Sequence, residues 1–117
     1  MTDSRLMRSM LLDFYGELLT ERQRECYDLH YNDDLSLAEI AEQSGVSRQC
    51  VWDNIRRAEA SLQEIENKTG LIRRFSETQD MLAAAAESLK KLCGMTEGDA
   101  QRLAQSALED IEALRAK

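Results

Sequence analysis

Two helix-start signals, separated by a glycine, lie within residues 36–58. Ser36 can cap a first helix, with Glu39 three residues on to complete a capping box, and Ser47 can cap a second helix. Gly45 lies where the first helix has to end, because a glycine takes a positive φ there without steric strain. The pattern predicts two helices joined by a tight turn, which is a helix-turn-helix.

The apolar side chains of this segment recur at helical spacing on one side of each predicted helix. Ala41 is small, which allows the second helix to cross the first closely, and Val46 is expected to fill the corner. The predicted inward positions are Leu37, Ile40 and Ala41 on the first helix, and Val51, Ile55 and Ala58 on the second.

The outward side of the second helix carries candidate nucleic-acid contacts. In DNA-binding helix-turn-helix proteins this helix lies in the major groove, with its first residues at the base edges. Arginine can bridge guanine, and glutamine can bridge adenine, with two hydrogen bonds. The later arginines suit backbone phosphates, and a tryptophan can stack on a base. The candidate nucleic-acid-binding residues are Arg48, Gln49, Trp52, Arg56 and Arg57.

Each of these residues also has a purely structural interpretation. An ordinary helical hairpin in a bundle has similar spacing, and exposed arginines are commonly just solvated. Trp52 can pack against another helix instead of a ligand. Asp53 would repel phosphate, unless it pairs with Arg56 or Arg57 at helical spacing.

Composition indicates an all-α fold. The 117 residues include no proline and only five glycines, and good helix formers are abundant. This length fits one compact unit or two small lobes. The expected division is a helix-turn-helix domain over residues 1–70 and a C-terminal helical segment over residues 71–117, for packing or oligomerisation.

Further helices are predicted before the motif and in continuation of it. Residues 3–15 should form an amphipathic helix that ends or bends at Gly16. Thr20, with Gln23 at the capping-box position, should start a helix that runs to about Tyr31, before a turn at Asn32–Asp34. The second motif helix should continue to Asn67 and end at Gly70. The stripe expected on the first helix is Leu6, Met10 and Phe14, with Met7 and Leu11 beside it.

Two more helices are predicted in the C-terminal segment. The first covers residues 71–93 and is broken by Gly94, and the second starts with Thr96 and Asp99 as caps and runs to about Leu114. Their apolar stripes can close on each other as a hairpin or on a second chain, and we expect a homo-oligomer. The stripes are Leu71, Phe75, Leu82, Ala85, Leu89 and Leu92 on one helix, and Ala100, Leu103, Ala104, Ala107, Ile111 and Leu114 on the other.

Several function classes are disfavoured. Cys26, Cys50 and Cys93 lie far apart, and His30 is the single histidine, so the sequence predicts no metal site, and it indicates reduced thiols. No catalytic constellation can be assembled around His30, so neither an enzyme nor a cofactor is expected. The chain shows no signal peptide and no apolar stretch long enough to cross a bilayer, so we expect a cytoplasmic protein without a membrane partner.

The charge balance opposes simple DNA binding. The net charge is −7, and residues 1–69 hold eight Lys or Arg against fourteen Asp or Glu. Phosphate contacts need Lys and Arg, and they supply most non-specific affinity for nucleic acids. Binding would therefore need a focused basic patch within a repulsive overall field.

Three stretches of the sequence resemble region 4 of bacterial sigma factors, the helix-turn-helix that reads the −35 promoter element. They are residues 19–25, 36–41 and 45–47. A closer resemblance is to the YlxM family, because Trp52, Asp53 and Asn54 match its aromatic, Asp and Asn pattern where sigma region 4 has basic or hydroxyl residues. The resemblance extends to the Leu71 region, whereas the alanine-rich last helix departs from it.

The YlxM resemblance implies a role near the signal recognition particle, whose GTPase gene accompanies YlxM genes in bacteria. The chain lacks the phosphate-binding glycine loop of a GTPase, so it would be an accessory or regulator. One hypothesis is a regulator that binds DNA or the particle's RNA, with the particle's GTPase as a further partner. The alternative is a protein-interaction module with a sigma-like fold that has lost DNA binding, which the acidic balance and Asp53 favour.

Overall fold

A computed structural model describes residues 4–117, and over this range the chain forms six α-helices, one 3₁₀ turn and no strand. The all-α prediction is confirmed. Position 3, where the first helix was expected to start, lies outside the described residues. The elements are α1 (Ser4–Tyr15), a 3₁₀ turn (Gly16–Leu18), α2 (Glu21–Tyr31), α3 (Leu37–Ser44), α4 (Arg48–Thr69), α5 (Leu71–Met95) and α6 (Gly98–Arg115).

The chain divides into two compact units, of which the first ends at Ile72 and the second is Arg73–Lys117. The boundary falls in the first turn of α5, two residues beyond Gly70. Helices α1 to α4 belong to the first unit, and the second unit consists of the rest of α5 together with α6.

Local signals start the helices of the first unit as the sequence predicts. The Thr20 hydroxyl accepts the Gln23 backbone N–H at 3.2 Å, and the Gln23 side chain accepts the Thr20 N–H at 3.2 Å. Ser36 and Glu39 form the same reciprocal pair at 3.1 Å in both directions. Each capping box satisfies two backbone donors that a helix start leaves unpaired, so α2 and α3 begin at fixed residues.

Helix α4 joins the two parts of the first unit's core. Towards its N-terminus, Val51 and Ile55 pack with Cys26 of α2 and with Ile40 and Ala41 of α3. One turn further on, α4 enters a second cluster, formed by Leu11, Tyr15, Tyr27, Ala58, Leu62 and Ile72. Helix α3 therefore packs against the N-terminal part of α4 and α1 against the part that follows, while α2 contributes to both clusters.

The buried side of α1 differs from the predicted stripe. Leu6 and Phe14 are exposed, whereas Leu11 and Tyr15 are buried. Tyr15 determines this rotation, because its hydroxyl donates to Glu66 at 2.6 Å and lies 2.7 Å from the Thr69 hydroxyl, both at the end of α4. A buried tyrosine hydroxyl needs such partners, so the face that carries Tyr15 turns inward and Phe14 turns outward.

The predicted end of α5 at Gly94 and the predicted cap of α6 at Thr96 were wrong. Gly94 lies inside α5, which continues to Met95, because one glycine costs a helix only about 1 kcal/mol. Thr96 does not cap α6; its hydroxyl donates back to the Leu92 carbonyl at 2.7 Å. The chain reverses instead at Gly98, which has a φ of 63° and begins α6.

Within the second unit, α5 and α6 form an antiparallel hairpin. The Gln79 amide donates to the Arg115 carbonyl at 3.5 Å, and the Gln101 amide donates to the Cys93 carbonyl at 2.9 Å, near the opposite end. The buried residues of this unit are few and mostly small: Ala86, Ala104 and Leu108. The hairpin contact therefore includes Ala104 of the predicted α6 stripe, and it also includes Ala86 and Leu108, which the predicted stripes left out.

Candidate nucleic-acid interface

The turn between α3 and α4 has the geometry that the sequence predicts. Gly45 ends α3 in the left-handed region, at φ 68° and ψ 30°, and its N–H donates to the Ala41 carbonyl at 2.9 Å. The N–H of Val46 donates to the same carbonyl at 3.2 Å. The Ser47 hydroxyl then accepts the Cys50 N–H at 3.0 Å and starts α4. Local hydrogen bonds thus define the helix-turn-helix at its corner.

The inward side of α4 is confirmed. Val51, Ile55 and Ala58 are each 0% exposed, and Ile40 of α3, also 0% exposed, packs with the first two. Close packing of this kind fixes the rotation of α4 about its own axis. The identity of the outward residues is therefore determined by the core.

The five predicted contact residues are accessible, with Gln49, Trp52 and Arg56 away from the core and Arg48 and Arg57 on opposite flanks of α4. Arg48, Gln49, Arg56 and Arg57 are exposed, and Trp52 is 38% exposed, so its ring is not a core group. We call this set of five residues, Arg48, Gln49, Trp52, Arg56 and Arg57, the α4 face.

An open cleft of about 370 Å³ lies at the N-terminal end of the α4 face. Leu37, Arg48, Gln49 and Trp52 line it. Leu37 belongs to α3 and was predicted only as an inward residue, so its part in this cleft was missed. The cleft combines apolar walls with one guanidinium and one amide, a composition that suits a flat, polar-edged group such as a base.

Asp53 lies among the residues of the α4 face and pairs with two of them. The Gln49 amide donates to Asp53 Oδ1 at 3.0 Å, and Arg56 Nη2 lies 3.7 Å from the same oxygen. The predicted pairing with an arginine is confirmed for Arg56. Asp53 therefore binds the Gln49 amide and offsets the positive charge of Arg56.

The side chains of two nearby polar residues contact backbone carbonyls. The Asn54 amide, part of the family-like pattern, donates to the Cys50 carbonyl one turn back at 2.9 Å. His30 Nδ1 lies 2.8 Å from the Leu35 carbonyl, so this half-buried histidine connects α2 to the loop before α3. Both side chains serve the local backbone.

A larger groove of about 680 Å³ runs between α1 and α4, and Arg56 also borders it. Two of its lining residues, Arg8 and Glu59, pair with each other, with Arg8 Nε 3.8 Å from Glu59. Both also contact Tyr31, whose hydroxyl donates to Glu59 and whose ring centroid lies 4.4 Å from the Arg8 guanidinium. Burial, followed by the bond to Glu59, raises the pKa of Tyr31 to about 12. The phenol therefore stays protonated at neutral pH, as a structural donor.

Two other kinds of site are absent from the described residues. Among residues 4–117, no three His, Cys, Asp or Glu side chains come together as a possible metal site. In the same part of the chain, no helix is long and apolar enough to span a membrane.

The fold and the α4 face define a helix-turn-helix protein. The chain belongs to the UPF0122 family, whose description is "Putative helix-turn-helix protein, YlxM / p13 like" and whose model matches residues 2–100. The match confirms the family resemblance and reaches into α6. The family is a helix-turn-helix class and not an enzyme class.

Curated relatives have similar lengths and the same family name. The UPF0122 protein of Halalkalibacterium halodurans is 47% identical over 91 residues, which is 78% of this chain and 84% of the relative. That of Bacillus thuringiensis is 47% identical over 104 residues, 89% of this chain and 90% of the relative. A third, from Bacillus mycoides, is 51% identical over 81 residues, 69% of this chain and 74% of the relative.

Proposed function

We propose that this protein is a regulatory or accessory factor that binds nucleic acid through the α4 face. The observation that carries the proposal is the packing of Val51, Ile55 and Ala58, which leaves the arginines, the glutamine and the tryptophan of α4 accessible. A second helix with a buried inner side and a polar outer side is the arrangement that enters a major groove.

The positions along α4 suggest different roles for its side chains. Arg48 and Gln49 stand in the first turn, where helix-turn-helix proteins reach base edges, and the start of a helix also carries a partial positive charge. Arg56 and Arg57 stand two turns further along, at a distance that suits the phosphate backbone. Trp52 lies between the two pairs and borders the cleft, where it can stack on a base.

The sequence resemblance suggests RNA of the signal recognition particle as a target beside promoter-like DNA, with the particle's GTPase as a protein partner. An acidic chain binds a polyanion weakly unless the target supplies shape or stacking contacts in addition to charge. Structured RNA offers both, in unpaired loops with accessible bases. The cleft beside Trp52 fits such a base better than it fits a uniform phosphate track.

Asp53 favours the alternative function, a protein-interaction module that has lost DNA binding. Its carboxylate pairs with Gln49 and Arg56, which are two of the five groups that nucleic acid would need. In a protein interface, by contrast, a mixed surface of Arg, Asp and Trp is a common composition.

The first experiment is a salt titration of binding by the full chain to duplex DNA and to the particle's RNA. The proposal predicts that affinity falls as salt rises, because each neutralised phosphate adds about 0.7 to 0.9 to the slope of log K against log salt. Absence of binding to both nucleic acids at low salt would refute it and leave the protein-interaction function.

Substitutions then test whether the α4 face is the contact surface. Changing Arg56 and Arg57 together to Ala should weaken all sequences alike and lower the salt slope by about 2. Gln49→Ala should instead change sequence preference. The matched control is Lys90→Ala with Lys91→Ala on α5, which removes the same charge elsewhere and should leave the slope nearly unchanged. Unaltered binding by an Arg48, Arg56 and Arg57 triple alanine variant would exclude this face.

Asp53→Asn tests the α4 face with a substitution that should strengthen binding, whereas the alanine variants should weaken it. It removes a negative charge from the α4 face and frees Arg56 from its ion pair, so binding should tighten, by about tenfold at low salt. Glu64→Gln is the matched control, since it removes one negative charge from the same helix beside Lys68. Equal tightening by both variants would indicate a net-charge effect and would not support contact at Asp53.

A further inference from the structure

Gln49 and Asp53 lie one helical turn apart, on the side of α4 that points away from the core. Gln49 comes two residues before the buried Val51. Asp53 lies two residues after Val51 and two before the buried Ile55. Two residues correspond to a rotation of about 200° around a helix, so both side chains lie nearly opposite the buried side. A nucleic acid that meets the N-terminal half of α4 therefore meets Gln49 and Asp53 together.

The bond between these two side chains fixes the orientation of the Gln49 amide. Gln49 Nε2 donates to Asp53 Oδ1 at 3.0 Å. A carboxylate has only acceptor atoms, so the nitrogen of the amide, and not its oxygen, has to face it. Arg56 Nη2 lies 3.7 Å from the same carboxylate oxygen and attracts it as well. The amide is therefore anchored through one of its two N–H groups.

The anchored amide keeps one donor and one acceptor for a ligand. A glutamine amide has two N–H donors and one carbonyl oxygen, and Asp53 takes one of the donors. Gln49 is exposed, and over residues 4–117 its side chain makes no other hydrogen bond. The groups that remain accessible are one N–H and the neighbouring C=O.

This pair of groups matches adenine and does not match guanine in a major groove. Adenine presents N7 as an acceptor and N6–H₂ as a donor, whereas guanine presents two acceptors, N7 and O6. A free glutamine can turn both of its N–H groups towards guanine, so it accepts either purine. The anchored Gln49 has a single donor left, so guanine O6 would face the amide oxygen, and two acceptors repel each other.

We propose that Asp53 is a positioning residue that makes Gln49 selective for adenine over guanine in duplex DNA. The inference rests on the proposed function, because it requires that α4 enters a major groove. The ligand chemistry is the edge of adenine that carries N6–H₂ and N7, which duplex DNA exposes in that groove without unpairing.

This role gives a reason for a carboxylate on a surface that binds a polyanion. One negative charge lowers the affinity for every sequence alike, because it repels phosphates whatever the bases are. The anchored amide lowers the affinity for the wrong purine alone, and specificity is a difference between affinities. The loss of affinity and the gain in selectivity are therefore separable effects of the same side chain.

The test is selection of binding sites by the full chain from a pool of DNA duplexes with a randomised segment. Gln49→Ala identifies the base pair that Gln49 contacts, as the position at which the selected sequences lose their preference. At this position the wild type should prefer adenine to guanine by about tenfold or more, which is the effect of one bidentate contact. Replacing that adenine with 7-deazaadenine, which lacks the N7 acceptor, should remove most of the preference.

Two substitutions of Asp53 separate anchoring from charge. Asp53→Ala frees the amide and should reduce the preference for adenine to about threefold or less. Asp53→Asn removes the charge but keeps an oxygen acceptor, which the donors of Arg56 hold in place, so it should tighten binding and retain the preference. Glu64→Ala is the matched control for Asp53→Ala, since it removes one carboxylate from the same helix and should leave the preference unchanged.

Failure of this inference and failure of the proposed function give different results. Absence of binding to duplex DNA and to RNA at low salt would refute both. Three results would overturn the role of Asp53 alone: binding to RNA but to no duplex, a wild type without a preference for adenine at the Gln49 position, or a preference that Asp53→Ala leaves unchanged. Equal loss of the preference in Asp53→Ala and Glu64→Ala would overturn it too, because the cause would then be net charge.

Discussion

Replacing Gly45 isolates the energetic contribution of the turn in the helix-turn-helix. Gly45 has a φ of 68°, and a Cβ built at this position meets no heavy atom within 4 Å. A substitution therefore meets no steric conflict with neighbours, and its cost is that of holding an L-residue in the left-handed region. This cost is about 1 kcal/mol for Ala and about 2 kcal/mol or more for Val, whose branched Cβ crowds the backbone further.

The order of effects matters more than any single value. Asn tolerates the left-handed region better than other residues, so the free energy of unfolding should fall in the order Gly45, then Asn, then Ala, then Val. Urea denaturation of the full chain measures this. With a slope of about 1 to 1.5 kcal/mol per molar urea for a unit of this size, Gly45→Ala should lower the midpoint by nearly 1 M and Gly45→Val by more.

The result that would refute this reasoning is an unchanged midpoint for Gly45→Val. It would mean that the turn reaches α4 without a positive φ at this residue. A large loss for Asn as well as for Val would point to a steric cause instead, which the empty space around Gly45 does not predict.

Three further predictions follow from other parts of the structure. Gly94→Ala should stabilise the second unit by about 1 kcal/mol in thermal unfolding, because Gly94 lies inside α5 with open space around it; a loss would contradict its helical placement. Tyr15→Phe should lower the free energy of unfolding by about 1 to 2 kcal/mol in denaturant titration, because it removes the bond to Glu66; no loss would mean that water replaces it equally well. Stability should fall as pH rises from about 10 to about 12, because the folded chain holds the protons of Tyr31 and Tyr27 more tightly than the unfolded chain does; Tyr31→Phe, followed by denaturation at each pH, should make this dependence less steep, and an unchanged slope would contradict the raised pKa of Tyr31.

The fold class and the helix starts could be read from the sequence because local interactions decide them. Each of these signals forms within a few residues: the capping boxes at Thr20 and Ser36, the cap at Ser47 and the turn at Gly45. Their geometry depends on backbone donors and on φ, and not on distant parts of the chain. For the same reason the predicted outward side of α4 matches the exposure of its side chains.

The predictions failed where helical spacing leaves open which flank of a wide apolar side is buried. Periodicity alone put Phe14 of α1 in the core, but the hydrogen bond from Tyr15 to Glu66 turns the neighbouring face inward. On α6, the predicted apolar stripe included Leu103 and left out Leu108. In the hairpin with α5, Leu103 is exposed and Leu108 is buried. An amphipathic pattern specifies that a helix has an apolar side, but a wide apolar side leaves its rotation open.

Thus the sequence by itself determined the helices, their caps, the glycine turn and the set of residues on the α4 face, since each depends on short-range hydrogen bonds or on helical spacing. Only the tertiary structure decided which flank of each apolar stripe is buried, with Tyr15 inside on α1 and Leu108 inside on α6. These outcomes depend on which side chains meet across elements and on the rotamers they adopt, and the free energy of such contacts is not encoded in the spacing of one helix.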